Sequence, residues 1–183
     1  LMRLFIRIAA TPGTDPMTLV ALEWLLIDRQ GALVSQGSGD LSMLDRLVDV
    51  KTMQNPDEVV LLVPTEHCLS VRCTVPGRTV GQMRRALPFV VEEFLAGDIE
   101  AMHVAVGTVR RGAPVDVVLI DRALLQTWLD ALRSHGVVPG HALPETALLP
   151  GTAGTVTILF DGDRILVRAP EQMVAAELAS LKL

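Results

Sequence analysis

Apolar and polar residues alternate from Arg3 to Ala9, setting Leu4, Ile6 and Ile8 on one side of a predicted strand and Arg3, Phe5 and Arg7 on the other. Pro12, Gly13 and Pro16 break the pattern over 11–17. Two apolar runs, Leu22 to Asp28 and Ala32 to Gly37, flank a turn at Arg29-Gln30-Gly31 and predict a hairpin. Asp40 is placed to cap a short helix carrying Leu41, Leu44, Leu47 and Val48, which Asn55-Pro56 ends. Val59 to Val63 is a continuous apolar strand. His67 to Val75 is an alternating one, with His67, Leu69, Val71, Cys73 and Val75 on one face, closed by Pro76-Gly77. From Thr79 the spacing predicts a long helix with a stripe of Val80, Met83, Leu87, Val90 or Val91, and Phe94. Pro88 lacks the N–H that would bond the Arg84 carbonyl, and predicts a kink.

Further along, His103 to Val109 and Val115 to Ile120 read as strands, and Asp121 as the cap of a helix with Leu125, Trp128, Leu129 and Leu132 inward and His135-Gly136 at its end. Val137 to Leu143 reads as a strand, Pro144 to Leu149 as a turn of helix, and Gly151 to Gly154 as a break. A second hairpin follows: Thr155 to Asp161, a turn at Gly162-Asp163, and Arg164 to Ala169. It repeats the plan of the first, an apolar strand ending in Asp, a glycine-containing turn, and another apolar strand. Structural duplication accounts for this, and so does chance, because Asp and Gly are common turn residues. Duplication implies one full α/β half and the opening of another.

Composition narrows the function. The chain has 183 residues, 50% of them apolar, enough for one substantial core or two small subdomains. Its net charge of -5 is interspersed, so no basic stripe is available for phosphates and nucleic acid is excluded as a partner. Aromatics are only 3%, with no Tyr, so the core must be aliphatic and stacking platforms are lacking. The longest apolar runs, Leu25 to Ile27, Val59 to Val63 and Val115 to Ile120, fall far short of a membrane span, and the alternating start does not read as a signal peptide. The expectation is a soluble chain. Cys68 and Cys73 face opposite sides of one strand and read as free thiols; a metal site would need His67 and His103 to join them, without supporting spacing.

Particular words in the sequence point further. They are Met2-Arg3-Leu4-Phe5-Ile6-Arg7, Gly37-Ser38-Gly39-Asp40-Leu41, Val63-Pro64 with Glu66, Val75-Pro76, Ala86-Leu87-Pro88-Phe89 before Glu92-Glu93, and Leu143-Pro144-Glu145 with Leu148-Leu149-Pro150. In this order the chain resembles the cytoplasmic domain of the type II secretion system L protein, a relative of the actin-like pilus-assembly M protein. The resemblance implies an α/β, actin-like (ribonuclease H-like) fold of mixed β-sheets with flanking helices. Residues 1–150 would form the first half, with an inserted strand-helix subdomain, and 151–183 the start of an incomplete second half. It also implies a cytoplasmic adaptor that binds the N-terminal domain of the secretion ATPase and couples it to the inner membrane. The transmembrane helix and periplasmic domain of that family would lie outside this chain. Val174 to Leu183 would then be poorly ordered. Further implied partners are the M and F proteins of the inner-membrane platform and a second copy of the chain, with localisation at the cytoplasmic face of the bacterial inner membrane.

An actin-like fold raises ATP hydrolysis, in which two such hairpin turns cradle phosphates. Those loops need Asp, Gly and a Ser or Thr, so that backbone N–H groups approach the phosphates. Asp28-Arg29-Gln30-Gly31 puts a bulky Arg there, and Asp161-Gly162-Asp163-Arg164 adds a carboxylate and has no hydroxyl. No Walker, Rossmann or nucleophile-elbow motif occurs, and His67, His103, His135 and His141 are scattered. The reading is therefore no catalytic residues, no cofactor and no metal. The alternatives are a pilus-assembly M-type protein, which should show an intact phosphate loop, and a divergent actin-like kinase or ATPase. For the adaptor, the candidate partner-binding residues are Glu92, Glu93, Phe94, Asp98, Ile99 and Glu100: an acidic patch with apolar neighbours, facing a basic surface of the ATPase. Arg78, Arg84 and Arg85 precede it. On one continuous helix both charge blocks would oppose the macrodipole; a new helix starting at Pro88 would remove much of the conflict. The edge of the first sheet is a second candidate surface, since an unpaired edge accepts a strand.

Overall fold

Leu4, Ile6 and Ile8 are buried along β1 (Arg3–Ile8), as the alternation requires, while Arg3, Phe5 and Arg7 reach the other side. The computed structural model describes residues 2–9, 15–18, 21–48 and 56–180. Contacts divide it into two units: Leu1–Pro64 with Leu124–Glu145, and Thr65–Ala123 with Thr146–Leu183. This is a partition by contact and does not coincide with the division at residue 150, which concerns repetition of the fold.

In the first unit, numbering along the chain, β2 (Leu22–Ile27), β3 (Leu33–Gly39), β4 (Glu58–Val63) and β8 (His141–Pro144) join β1 in the order β3-β2-β1-β4-β8. The pairs β1–β2 and β2–β3 are antiparallel, whereas β4 runs parallel to both β1 and β8. Val60, Leu61, Leu62 and Val63 are all buried, so β4 is covered on both faces, the environment its continuous apolar run calls for. Trp24 lies across β3 at Gly37, where an added Cβ would meet the indole ring at 2.8 Å. Asp40 accepts the Ser42 N–H at the start of α1 (Ser42–Val48), and Leu44 of that helix is fully buried. The side chains of Leu47 and Val48, residues 11–14 and Asn55 lie outside the described residues.

α3 (Arg122–Ser134) contributes the buried Leu124, Leu125, Trp128 and Leu132. Leu129 is half-buried, and Leu124 was not expected. Gly136, at φ +74°, donates to the Arg133 carbonyl, and Val137 reverses to donate to Leu132, so the helix ends where Gly136 predicts. The same reversal corrects the strand expected over Val137 to Leu143. Its first residues complete the helix terminus, Gly140 donates to the Val59 carbonyl, and pairing with β4 begins only at His141.

In the second unit, β5 (Cys68–Cys73), β6 (Met102–Val106) and β7 (Val115–Asp121) form an antiparallel sheet in the order β5-β7-β6. α2 (Val80–Glu92) supplies Met83, Leu87 and Val91 to a core with Val71, Cys73, Val75, Val115, Val117 and Leu119. Val109, expected within β6, lies beyond it and is buried in this core. The helix runs on through Pro88. The apolar stripe is shorter than predicted: Val80 is the first helical residue after the Thr79 N-cap, Phe94 lies past the last, and both are exposed.

β9 (Thr157–Asp161), β10 (Arg164–Arg168) and β11 (Met173–Glu177) make the third sheet, ordered β11-β10-β9. Gly162 turns the β9–β10 hairpin at φ +60°, a conformation glycine adopts freely. Arg164 is buried and donates to Glu66 at 2.7 Å and to Asp161 at 3.4 Å. β11 was not predicted, and disorder was expected from Val174. Instead Met173 to Glu177 pair with β10, and a 3-10 turn follows at Leu178–Ser180.

Candidate partner-binding surface

The end of α2 decides the form of the acidic segment. Glu92 is its last residue and Glu93 its C-cap, with Phe94 and Leu95 donating back to the carbonyls of Val91 and Glu92. Asp98 then caps a separate 3-10 turn, Ile99–Ala101, its Oδ1 accepting the Glu100 N–H at 2.8 Å. The segment is thus neither one helix to Glu100 nor a helix restarted at Pro88. Glu92 and Glu93 do oppose the α2 dipole, whereas Asp98 and Glu100 sit at the start of a turn, where carboxylates are favoured.

Glu92, Glu93, Phe94, Asp98 and Glu100 are exposed, and Ile99 is half-buried against the core of the second unit. Ile99 therefore anchors the turn and is a poor contact residue. Among the described residues, no ion pair engages the carboxylates of Glu92, Glu93 or Glu100. Phe89, which the sequence reading did not place among the candidate contact residues, is 73% exposed, more than Phe94 at 51%. The signal was available: Met83, Leu87 and Val91 define the buried stripe, and Phe89, two residues past Leu87, falls about 200° away on the outer face.

The two hairpin turns have a distinct chemistry. Asp28 Oδ1 accepts the N–H groups of both Gln30 and Ala32 at 2.8 Å, and the Asp28 carbonyl accepts the Gly31 N–H. The donors that would have to face a phosphate are spent inside the turn, behind a carboxylate. In the second turn Asp161 is engaged by Arg164.

Within the second unit a cleft of about 520 Å³ is lined by Ser70, Arg72, Asp116, 151–155 and 168–173. Its two cations are committed: Arg168 Nη1 donates to the carbonyls of Ala147 and Leu149, and Arg72 Nη1 to that of Pro170. Among the described residues no three His, Cys, Asp or Glu side chains converge as a metal site, and no helix is long and apolar enough to cross a membrane.

Neither Cys68 nor Cys73 forms a disulfide, and Cys73 is buried in the core of the second unit. Burial first, and the Asp116 carboxylate second, raise its thiol pKa above the ordinary cysteine value. At mildly alkaline pH, iodoacetamide should modify Cys68 at least ~10-fold faster than Cys73, because the thiolate is the reactive form and the Cys73 sulfur is also shielded. Peptide mass spectrometry over a time course reads this directly; equal rates would show that the core around Cys73 opens.

A family model described as type II secretion system (T2SS), protein L matches residues 4–182. Curated relatives called type II secretion system protein L are 28% identical over 131 residues in Vibrio cholerae serotype O1 and 29% identical over 133 residues in Dickeya chrysanthemi. These matches cover 72% and 71% of this chain but 32% of each relative, so the chain spans about a third of their length. Among solved structures, the cytoplasmic domain of EpsL, an inner membrane component of the type II secretion system of Vibrio cholerae, aligns with TM-score 0.77 at 23% identity, over 99% of this chain and 73% of that one. The PilM-PilN type IV pilus biogenesis complex aligns with TM-score 0.62 at 16% identity, over 94% of this chain and 60% of that one. The fold is the actin-like α/β class expected from the sequence.

Proposed function

The chain belongs to the type II secretion system protein L family, and on that premise we propose that it is a non-catalytic adaptor which recruits the secretion ATPase to the cytoplasmic face of the bacterial inner membrane. The observation that carries this reading is the outer surface at the end of α2, where Phe89 and Phe94 stand exposed beside Glu92 and Glu93. Exposed aromatic anchors ringed by carboxylates fit a partner that presents a basic rim around an apolar pocket, charge guiding encounter and the rings supplying affinity. The partner is the N-terminal domain of the ATPase, with the M and F proteins of the platform as neighbours in the assembly. The self-satisfied turn at Asp28 supports the non-catalytic half of the reading, since a phosphate there would meet a carboxylate and N–H groups already bonded.

The test is isothermal titration of the chain against the N-terminal domain of the secretion ATPase, with ATP and Mg²⁺ titrated in parallel. Phe94→Ala and Phe89→Ala should each weaken binding by roughly 30-fold if the ring is a central anchor worth about 2 kcal/mol. Glu92→Lys with Glu93→Lys should slow association most strongly at low salt. Unchanged affinity in all of these would remove the α2 end from the interface. Nucleotide heat without ATPase binding would shift the reading to an actin-like nucleotide-binding protein.

A further inference from the structure

The sheet β5-β7-β6 serves two different faces. Val71, Cys73, Val115, Val117 and Leu119 point into the core beneath α2. By alternation Ser70, Arg72, Asp116 and Val118 point to the other face, where they line the cleft of about 520 Å³. That volume lies in the range of ligand sites, about 300–1,000 Å³. One polar group of its lining is left over: Ser70 Oγ is shielded from solvent and, among the described residues, has no hydrogen-bond partner. Such a hydroxyl costs free energy until something completes it.

The backbone leaves more groups over. Gly107 donates to the Asp116 carbonyl, so along β7 the backbone groups of Asp116, Val118 and Ile120 turn toward β6, and those of Val115, Val117 and Leu119 toward β5. Cys73, Val71 and Leu69 spend their own groups on that pairing. Because β5 is an edge, the N–H and carbonyl groups of Ser70 and Arg72 then face out of the sheet. In the third sheet Ala169 donates to Gln172 and Leu178 to Asp163, a register that turns Met173 outward from β11, also an edge. β11 packs beside β5 without pairing with it, so two open strand edges border one cleft.

The lining decides what fits there. Arg168 and Arg72 are spent on carbonyls, so an anion meets no free cation. The two carboxylates of the lining, Asp116 and Glu171, fall short of a metal's donor set. The small residues Ala147, Gly151, Ala153 and Gly154 leave room for an apolar side chain against Val118 and Met173. Glu171 is exposed at the turn between β10 and β11, and among the described residues no ion pair engages it. Unspent N–H and carbonyl groups, a buried hydroxyl, aliphatic walls and a carboxylate at the rim are the complement of an extended peptide with apolar and basic side chains.

We propose that this cleft binds an extended peptide segment of a partner protein, which adds as a strand to the β5 edge. Its backbone bonds Ser70 and Arg72, an apolar side chain rests against Val118 and Met173, and a basic one meets Glu171. The site does not rest on the ATPase surface, because α2 covers the opposite face of the sheet.

The experiment titrates a blocked pentapeptide, three valines flanked by arginines, into the isotope-labelled chain and follows its amide resonances and amide hydrogen exchange. Two further peptides are compared, one methylated on its backbone nitrogens and one with glutamates in place of the arginines. The first peptide should shift the Ser70, Arg72 and Met173 amides and slow exchange at Ser70 and Arg72 about tenfold at saturation. Methylation should weaken binding about tenfold, since it removes the donors a strand needs. The glutamate peptide should bind less tightly, most clearly at low salt. Ser70→Ala should weaken the first peptide about threefold and leave the urea midpoint of the free chain no lower, because the hydroxyl has no bond to lose there. No binding of the first peptide, shifts away from β5 and β11, a methylated or glutamate peptide that binds as well, or unchanged affinity in Ser70→Ala would each overturn the proposal.

Discussion

Trp128→Ala should lower the unfolding free energy by about 3–5 kcal/mol, the range for deleting a large aromatic from a packed interior. Trp128 is 1% exposed on α3, and its Nε1 donates to the Pro16 carbonyl at 2.9 Å. Two losses follow from the truncation, and they differ in size. The cavity left by the indole dominates. The hydrogen bond contributes less, because Pro16 lies in an exposed segment where water can replace the lost donor. Trp128→Phe separates the two in large part: it keeps an aromatic ring and most of the side-chain volume, removes the N–H with part of the indole, and should cost about 1–2 kcal/mol. Urea unfolding of both variants checks this, and equal losses would show that the hydrogen bond, not the volume, holds the segment at Pro16.

Arg7→Met is the second large effect. Arg7 Nε donates to Glu145 Oε2 at 2.7 Å, Nη1 donates to Glu23 at 2.9 Å, and the Glu145 side chain is only 3% exposed. Without the guanidinium a carboxylate stays in a nearly dry site facing a thioether. Breaking a buried pair from one side costs about 3 kcal/mol or more. Glu145→Met in the same chain should return most of that loss, since removing both charges abolishes the desolvation penalty together with the attraction. A double-mutant cycle by urea denaturation measures the coupling. A double variant no more stable than Arg7→Met alone would mean that Glu145 is held mainly by its other contacts. Because the Glu145 carboxylate is shielded from solvent, much of the coupling should also persist in high salt.

Most of the fold was legible where a local rule and the tertiary environment agree. Leu4, Ile6 and Ile8 are buried by alternation, β4 is covered on both faces as a continuous run demands, and both hairpins turn at their glycines. The errors cluster where periodicity was carried past a boundary that hydrogen bonds set. Val80 and Phe94 have the right spacing for the α2 stripe, but Thr79 and Glu93 are its caps. Val137 looks like strand and instead completes the end of α3. β11 is different in kind: Met173-Val174-Ala175-Ala176-Glu177 has little intrinsic strand preference, and it is a strand because β10 offers it an edge.

The candidate surface was half legible. Charge pointed to Glu92 and Glu93, and the helical period would have pointed to Phe89. The break between Glu93 and Asp98, which splits the acidic run into two environments, depends on a capping hydrogen bond that composition does not announce. The cleft lined by Arg72 and Arg168 was not legible at all, because segments far apart in the chain build it.

The burial of β4 also fixes an order of events on the ribosome. One of its neighbours, β1, is already made when β4 emerges, but the other, β8, pairs through His141 with Val60 and is translated roughly eighty residues later. At bacterial elongation rates that interval is on the order of ten seconds. For that time the nascent chain carries Val59-Val60-Leu61-Leu62-Val63 with one backbone edge open, while the whole of Thr65–Ala123 is being made. The sheet of the first unit is thus completed late, and a chaperone working on this chain has to guard an aliphatic edge during synthesis that the finished protein never displays.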